Sequence, residues 1–435
     1  MRALQTDLYE LTMAAGYFAA GKTQEKAVFE FFVRRLPDNR DFLIAAGVEQ
    51  AAEYLLDLTF TGPQIDYLRA LPQFGNTASP FWEYLREFRF TGDLFAMREG
   101  TPFFAGEPVL TVHAPLIEGQ IAETYLVATM TFQSMIAAKG ARVVAAAKGR
   151  AVVEFGTRRA HGPDAGVLAG RAAYLAGCAG TSNVETGFRF GVPVFGTSAH
   201  SWVLAFDSEI DSFRALQKLL GTGTVYLIDS YDTIQGARNA ASLGSPMWGV
   251  RLDSGDLVAL SKQVRRILDE AGFPEAKIMA TSDLNEYRIR EMLEAGAPID
   301  AFGVGTELAT SFDSPAVSGV YKLVELESEG RKRYTAKYSP DKQTLPGAKQ
   351  VFRYAAKDIV ACSTECAPGA RTDGPAEALL GPVILGGKLA QKLPTVAESR
   401  DFCIEAVKRI NPASHRVEYS QELLQQAEEH NRQFA

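Results

Sequence analysis

Between about residues 150 and 310 the chain alternates short apolar runs with stretches of helical periodicity. The runs fall at 151–155, 192–195, 225–228, 248–252, 277–280 and 299–304. Apolar strands separated by helix-like segments predict a parallel βα array. Each run ends in small or polar residues: Gly156-Thr157-Arg158-Arg159, Gly196-Thr197 leading to His200, Asp229-Ser230-Tyr231-Asp232, Asp253-Ser254-Gly255-Asp256, Thr281-Ser282-Asp283 and Gly305-Thr306. Some of these also cap the helices that follow, since Asp and Ser favour such positions. Six such endings together put their polar groups on one rim, where α/β barrels hold their active sites. The expected fold class is α/β: an irregular TIM-like α/β barrel with an additional α+β domain.

The flanks read differently. After Thr6-Asp7, a helical pattern places Leu8, Leu11, Ala15 and Phe18 on one face, and Asp7 to Glu10 has capping-box spacing. Tyr9 falls off that face. A strand is expected at 27–33, a helix starting at Ser79-Pro80, short β-like runs from 90 to 114, and one long helix over 117–138. Beyond 310, the segments 320–326 and 333–338 form an expected antiparallel pair, and a polar helix follows Ser420. These textures predict an N-terminal α+β domain at 1–150 and a barrel with the active-site rim at 151–330. A mixed segment at 331–435 would pack on both.

Composition narrows the function. Of 435 residues 46% are apolar and 22% charged, enough to bury a large core. A formal net charge of -7 argues against nucleic-acid binding, which favours a basic stripe. No apolar run approaches a membrane span and no signal peptide is visible, so a cytoplasmic protein without membrane partners is expected. Four cysteines in a chain this long make no disulfide framework. Cys362, Cys366, Cys403 and His415 could in principle hold zinc, but the spacing lacks a matching second pair.

An anionic ligand must then be held by locally placed donors. Gly303, Gly305 and Thr306 at a strand end form a plausible phosphate cradle, with backbone N–H groups free to approach and a hydroxyl added. Arg158, Arg159 and Arg251 offer forked donors for carboxylate or phosphate. Asp253, Asp256 and Asp283 suit ribose hydroxyls or Mg²⁺. Phe155 could stack on a flat ring. His200, just past a strand end, could act as acid, base or nucleophile. The rim suits a phosphorylated sugar and a small anionic or aromatic partner.

The stretches 6–13, 154–161, 180–183, 196–201, 249–256 and 302–306 resemble, in order, the motifs of nicotinate phosphoribosyltransferase. The resemblance implies a type II phosphoribosyltransferase-like barrel and a homodimer with active sites at the interface. It also implies the reaction: nicotinate and phosphoribosyl pyrophosphate give nicotinate mononucleotide and pyrophosphate, a salvage entry into NAD synthesis, coupled to ATP hydrolysis with Mg²⁺. On the matching positions, His200 would be the histidine phosphorylated by ATP, and Thr197 and Arg251 would hold nicotinate. Tyr9 of a neighbouring subunit and Phe155 would sandwich the pyridine. Gly303, Gly305 and Thr306 would bind the 5-phosphate, and Arg158 would lie near the ligand phosphates. Asp253, Ser254, Ser282 and Asp283 would supply ribose and metal contacts, with no protein metal site beyond Mg²⁺ carried by the substrate phosphates. The nicotinamide enzyme is the nearest alternative. A phosphosugar aldolase or isomerase would need a Schiff-base lysine or an acid/base pair on the rim, and Lys277 starts its strand at the opposite end.

Overall fold

The computed structural model describes residues 2–337, 342–369 and 374–432. The chain forms two compact units: Ile136–Pro315 with Thr395–Asp401, and Met1–Met135 with Ala316–Pro394 and Phe402–Ala435. The expected boundaries at 150/151 and 330/331 thus differ from these, the first division falling inside the helix Glu123–Ala146.

In the first of these units, six parallel strands run in the order Gly180–Thr181, Ala151–Glu154, Ala301–Val304, Lys277–Ala280, Gly249–Leu252, Val225–Leu227. They are short and mostly buried, with all four residues of Ala301–Val304 inside, as expected of a parallel sheet whose faces are both covered. The helix Leu257–Glu270 buries Leu257, Ser261, Val264 and Leu268 at 3- and 4-residue spacing. The last strand pairs with the first, Ala301 to Val304 facing Ala151 to Glu154. This cyclic succession is that of a barrel, but among the described residues no ladder joins its two ends.

Five of the six expected strands form. The sixth, 192–195, does not: only Val194 bridges, in parallel, to Thr181. Val194 is 46% and Phe195 44% exposed, so neither is in a buried strand. Pro193 explains the difference. It has no N–H to donate, and pairing is limited to its carbonyl, which accepts from Thr181 N–H (3.1 Å), and to Phe195 N–H, which donates to the Thr181 carbonyl (2.9 Å). In its place the two-residue strand Gly180–Thr181, not predicted, joins the sheet.

The second unit is built on a seven-stranded sheet, in which Lys26–Val33 lies between Gly319–Ser328 and Pro108–Pro115, antiparallel to both. A four-stranded sheet contains Lys349–Arg353 and Lys357–Cys362, and the buried pair Lys349 Nζ to Glu30 Oε2 (2.8 Å) joins the two sheets. The helices Ser79–Glu87 and Gln421–Arg432 form where expected. Gly319–Ser328 pairs antiparallel with Arg331–Tyr334, as the expected pair of 320–326 with 333–338 implied; residue 338 of the expected partner lies outside the described residues.

Three local expectations change. The 117–138 helix is two, Leu116–Ile121 and Glu123–Ala146. Asp7 is the N-cap of Leu8–Ala19 but makes no side-chain cap bond. Instead Thr124 Oγ1 donates to Asp7 (3.1 Å), and Glu10 accepts from Gln120 (2.6 Å). The helix buries Glu10, Leu11 and Ala14, leaving Leu8 exposed. Nor do the proposed zinc ligands converge. Cys362 gathers with Glu365 and Glu422, Cys366 is exposed, and His415 Nε2 lies 3.2 Å from Asp358.

Asp358 belongs to a buried cluster. Arg353, its cross-strand neighbour, holds both carboxylate oxygens at 2.9 and 2.6 Å. Burial opposes ionisation of Asp358, but hydrogen bonds from His415 and Arg353, the Arg353 charge and the Glu107 proton outweigh it and hold the pKa at about 2. Burial, then the Asp358 charge, push Glu107 well above the ordinary carboxylate range. Stability from Asp358 is therefore present above its unfolded pKa and lost as pH falls toward 2, whereas that from the Glu107 proton fades as pH rises through its folded pKa. Glu107→Gln keeps a donor and removes the titration, so in thermal unfolding its stability relative to the parent should improve as pH rises above the ordinary carboxylate range. Asp358→Asn should cost about 3 kcal/mol at pH 7. A Glu107→Gln difference that is flat with pH would contradict the assignment.

Candidate active site

The C-terminal ends of the parallel strands surround a cavity of about 560 Å³. Its lining brings together Phe155, Arg158, Arg159, Thr197, His200, Arg251, Asp253, Ser282, Asp283, Gly303, Gly305 and Thr306, twelve of the candidate residues named from sequence. Thr281 lines it too. Ser254 stands just behind, and Tyr9 belongs to the other compact unit, 49% exposed on Leu8–Ala19.

Arg251 organises the centre. It points off Gly249–Leu252, and its Nε donates to Thr281 Oγ1 (2.9 Å). One terminal nitrogen reaches Thr197 Oγ1 (2.8 Å) and the Ser198 carbonyl (3.2 Å), and the other pairs with Asp253 Oδ1 (2.7 Å). Burial alone would raise the pKa of Asp253, but the Thr281 hydroxyl and Arg251 outweigh it and keep the carboxylate ionised below its usual range.

His200 opens the short helix His200–Leu204 with its side chain 43% exposed, and its Nε2 lies 3.2 Å from Oδ1 of the buried Asp229. A carboxylate only accepts, so Nε2 carries the proton and the lone pair is at Nδ1. The other Asp229 oxygen accepts from the Asp253 N–H (2.9 Å) and the Ser254 hydroxyl (2.6 Å). Ser254 is therefore a support for Asp229 in this structure. Sequence reasoning passed over Asp229 and Thr281. The signal was present, since each is the first polar residue after its apolar run, as Asp253 is after its own.

The anion donors divide into two kinds. Arg251 is committed within the site, while Arg158 and Arg159 stand exposed on the turn Thr157–Arg159 without an ion-pair partner among the described residues. The Gly303 to Thr306 turn meets Phe155 closely. A Cβ on Gly303 would lie 2.6 Å from Thr281 Cγ2 and 2.7 Å from Phe155 Cδ2, so only glycine lets that ring lie against the strand end. Beneath, buried Glu154 accepts from Thr181 Oγ1 (2.6 Å) and the Gly156 N–H; burial raises its pKa and these bonds offset the rise only in part.

Residues 4–131 match the nicotinate phosphoribosyltransferase (NAPRTase) N-terminal domain, and residues 151–340 match the nicotinate phosphoribosyltransferase family. A nicotinate phosphoribosyltransferase of Mycobacterium tuberculosis is 43% identical over 423 residues, covering 96% of this chain and 89% of its own length. One from Bacillus subtilis is 44% identical over 360 residues, 81% of this chain and 73% of its own. The crystal structure of human nicotinic acid phosphoribosyltransferase superposes with a TM-score of 0.85 at 26% identity, covering 98% of this chain and 99% of that one.

Gly303→Ala tests the packing of the site. The added methyl must displace Thr281 or Phe155, and Thr281 holds both Arg251 and Asp253. The expected cost in chemical denaturation is about 1–3 kcal/mol. A change within about 0.5 kcal/mol, the range of an ordinary surface substitution, would contradict the close approach.

Proposed function

The chain belongs to the nicotinate phosphoribosyltransferase family, and on that premise we propose that it transfers phosphoribose from phosphoribosyl pyrophosphate to nicotinate, coupled to ATP through transient phosphorylation of His200. The products are nicotinate mononucleotide and pyrophosphate, the salvage entry into NAD synthesis, together with ADP from the ATP and inorganic phosphate released when water hydrolyses the phosphohistidine. The observation that carries the reading is the His200–Asp229 pair opening onto a cavity that also holds Arg251, two uncommitted arginines and a glycine-threonine turn.

Each step has residues suited to it. His200 Nδ1 attacks the terminal phosphorus of ATP, the bond to the bridging oxygen breaks, and ADP leaves. Asp229 balances the positive charge that develops on the ring during this step. Nicotinate lies with its ring on Phe155 and its carboxylate toward Arg251 and Thr197. The 5-phosphate takes the Thr306 hydroxyl and the N–H groups of the 303–306 turn, and Arg158 and Arg159 take the pyrophosphate. The glycosidic carbon–oxygen bond breaks through an oxocarbenium-like state, the pyridine nitrogen attacks, and pyrophosphate carries away the electron pair. Catalysis is positioning and charge stabilisation. The oxygen donors Asp253 and Asp283 at the cavity suit Mg²⁺ carried in by the substrate phosphates, which would supply charge neutralisation on the leaving group.

A carboxylate-matched arginine at the ring site favours nicotinate over neutral nicotinamide. No lysine lines the cavity, so a Schiff-base aldolase has no support there. Exposed Val184 (73%) and Phe188 (85%) on one helix, and Leu8 and Tyr9 on another, offer apolar faces for a second copy. A homodimer that brings Tyr9 onto the partner's pyridine is part of the proposal. No helix among the described residues is long and apolar enough to cross a membrane. Four free cysteines fit the reducing cytoplasm in which we place the enzyme.

The test is turnover of nicotinate or nicotinamide with phosphoribosyl pyrophosphate and Mg²⁺, each with and without ATP. Mononucleotide should form from nicotinate, faster with ATP, and His200→Ala should abolish the ATP effect. Asp229→Asn should lower the ATP-dependent rate by roughly 10–100-fold and the ATP-independent rate by clearly less, since Asp229 also anchors the Asp253 turn. Equal loss of both rates would refute the role of Asp229, and no product from either base would refute the function.

A further inference from the structure

Among the described residues, Lys139 is a fully buried cation in direct contact with three carboxylates. Its Nζ lies 2.7 Å from Glu286 Oε2, 3.0 Å from Asp313 Oδ1 and 3.4 Å from Glu307 Oε2. Arg142, one turn further along the same helix, holds the other Glu286 oxygen at 2.9 Å. Burial would raise the pKa of Glu286, but Lys139 and Arg142 outweigh it and keep the carboxylate ionised. None of these residues lines the cavity, so the chemistry described above leaves them without a task.

Their positions supply one. Glu286 begins the helix Glu286–Glu294, directly behind Ser282 and Asp283. Both of those cavity residues have left-handed backbones, φ 90° and 40°, a conformation that persists only when its surroundings enforce it. Glu307 follows Thr306 in Thr306–Ala309, directly behind the phosphate-binding turn. Asp313 lies two residues beyond Ser311, another left-handed residue at φ 45°. The two strands that lead into these turns share only two paired positions, Met279 with Ala301 and Ala280 with Phe302. Past that point the register gives no pairing between the 281–283 arm and the 303–306 arm. One buried ammonium grips the residues just behind both.

We propose that Lys139 is a positioning residue that fixes the spacing between the Ser282-Asp283 arm and the Gly305-Thr306 arm, and thereby sets affinity for the phosphorylated sugar. The inference rests on the phosphoribosyl reading of the cavity. Lys139 touches no substrate; its effect passes through Glu286 and Glu307. Without its charge, Glu286, Asp313 and Glu307 lose the ammonium they share, their mutual repulsion is less balanced, and the arms move apart.

The experiment compares the full-length parent with Lys139→Met, Lys139→Met/Glu307→Gln and Glu307→Gln, by steady-state kinetics and by calorimetric binding of ribose 5-phosphate. Lys139→Met should raise KM for phosphoribosyl pyrophosphate about tenfold or more with KM for nicotinate changed less than about twofold. The double variant, with one carboxylate charge removed, should recover part of that loss. Glu307→Gln alone should weaken ribose 5-phosphate binding by several-fold, and it stands as the test if Lys139→Met does not fold. Equal shifts in both KM values, a loss confined to kcat, or unchanged sugar-phosphate binding in a folded variant would overturn the proposal. A parent that binds ribose 5-phosphate but makes no nicotinate mononucleotide would overturn the nicotinate reading alone, and the binding comparison would still decide the role of Lys139.

Discussion

The guanidinium of Arg251 holds the site together where the backbone does not. The cyclic order of strands is continuous from Gly180–Thr181 round to Val225–Leu227, and the segment carrying Thr197 and His200 lies in sequence between those two ends. It joins the sheet through a single bridge at Val194. Beyond Phe195 it is anchored by side-chain bonds: Arg251 to Thr197 and to the Ser198 carbonyl, His200 to Asp229, and Trp202 Nε1 to the Ser212 carbonyl. Arginine suits this task because its fork engages several acceptors in fixed directions at once. Lysine at the same place would bring the charge without the geometry.

This construction has a functional consequence. A ladder strand is held by cooperative backbone bonds, whereas a loop held by a few side-chain bonds can rearrange when one partner changes charge. Phosphorylation of His200 would add negative charge beside Asp229, an unfavourable pairing, and bring an anion near Arg251, a favourable one. The same side chains that place the loop would thus respond to its modification. The acidic partner of the histidine also anchors the neighbouring turn through the Asp253 N–H and Ser254. A change at His200 is thereby linked to the arm that carries Asp253.

Much of this was legible in the sequence because buried parallel strands write themselves as apolar runs, and their polar endings fall on one rim. That logic placed twelve predicted residues around one cavity. It failed where a residue inside the run cannot pair, and where the controlling contact is remote in sequence. The run at 192–195 is apolar, but Pro193 removes a donor, and hydrophobicity alone does not register that loss. Asp7 and Glu10 have capping-box spacing, yet Thr124 and Gln120, more than a hundred residues away, take both side chains. Asp229 stood among the polar rim endings without a role of its own, because nothing local shows that His200 lies beside it. Lys139 sits within a largely apolar helical segment, and only the fold shows the three carboxylates that balance it.

The central claim is that Arg251 holds the His200 loop, and amide hydrogen exchange across residues 194–204 measures it most directly. In Arg251→Gln, whose fold is verified by circular dichroism, the amides of this segment should exchange at least about tenfold faster than in the parent, equivalent to about 1.4 kcal/mol of lost local stability. Protection of Ala301–Val304, which lies between Ala151–Glu154 and Lys277–Ala280 in the sheet, should be unchanged. Equal protection of 194–204 in parent and variant would contradict the account and return the loop to support by the backbone alone.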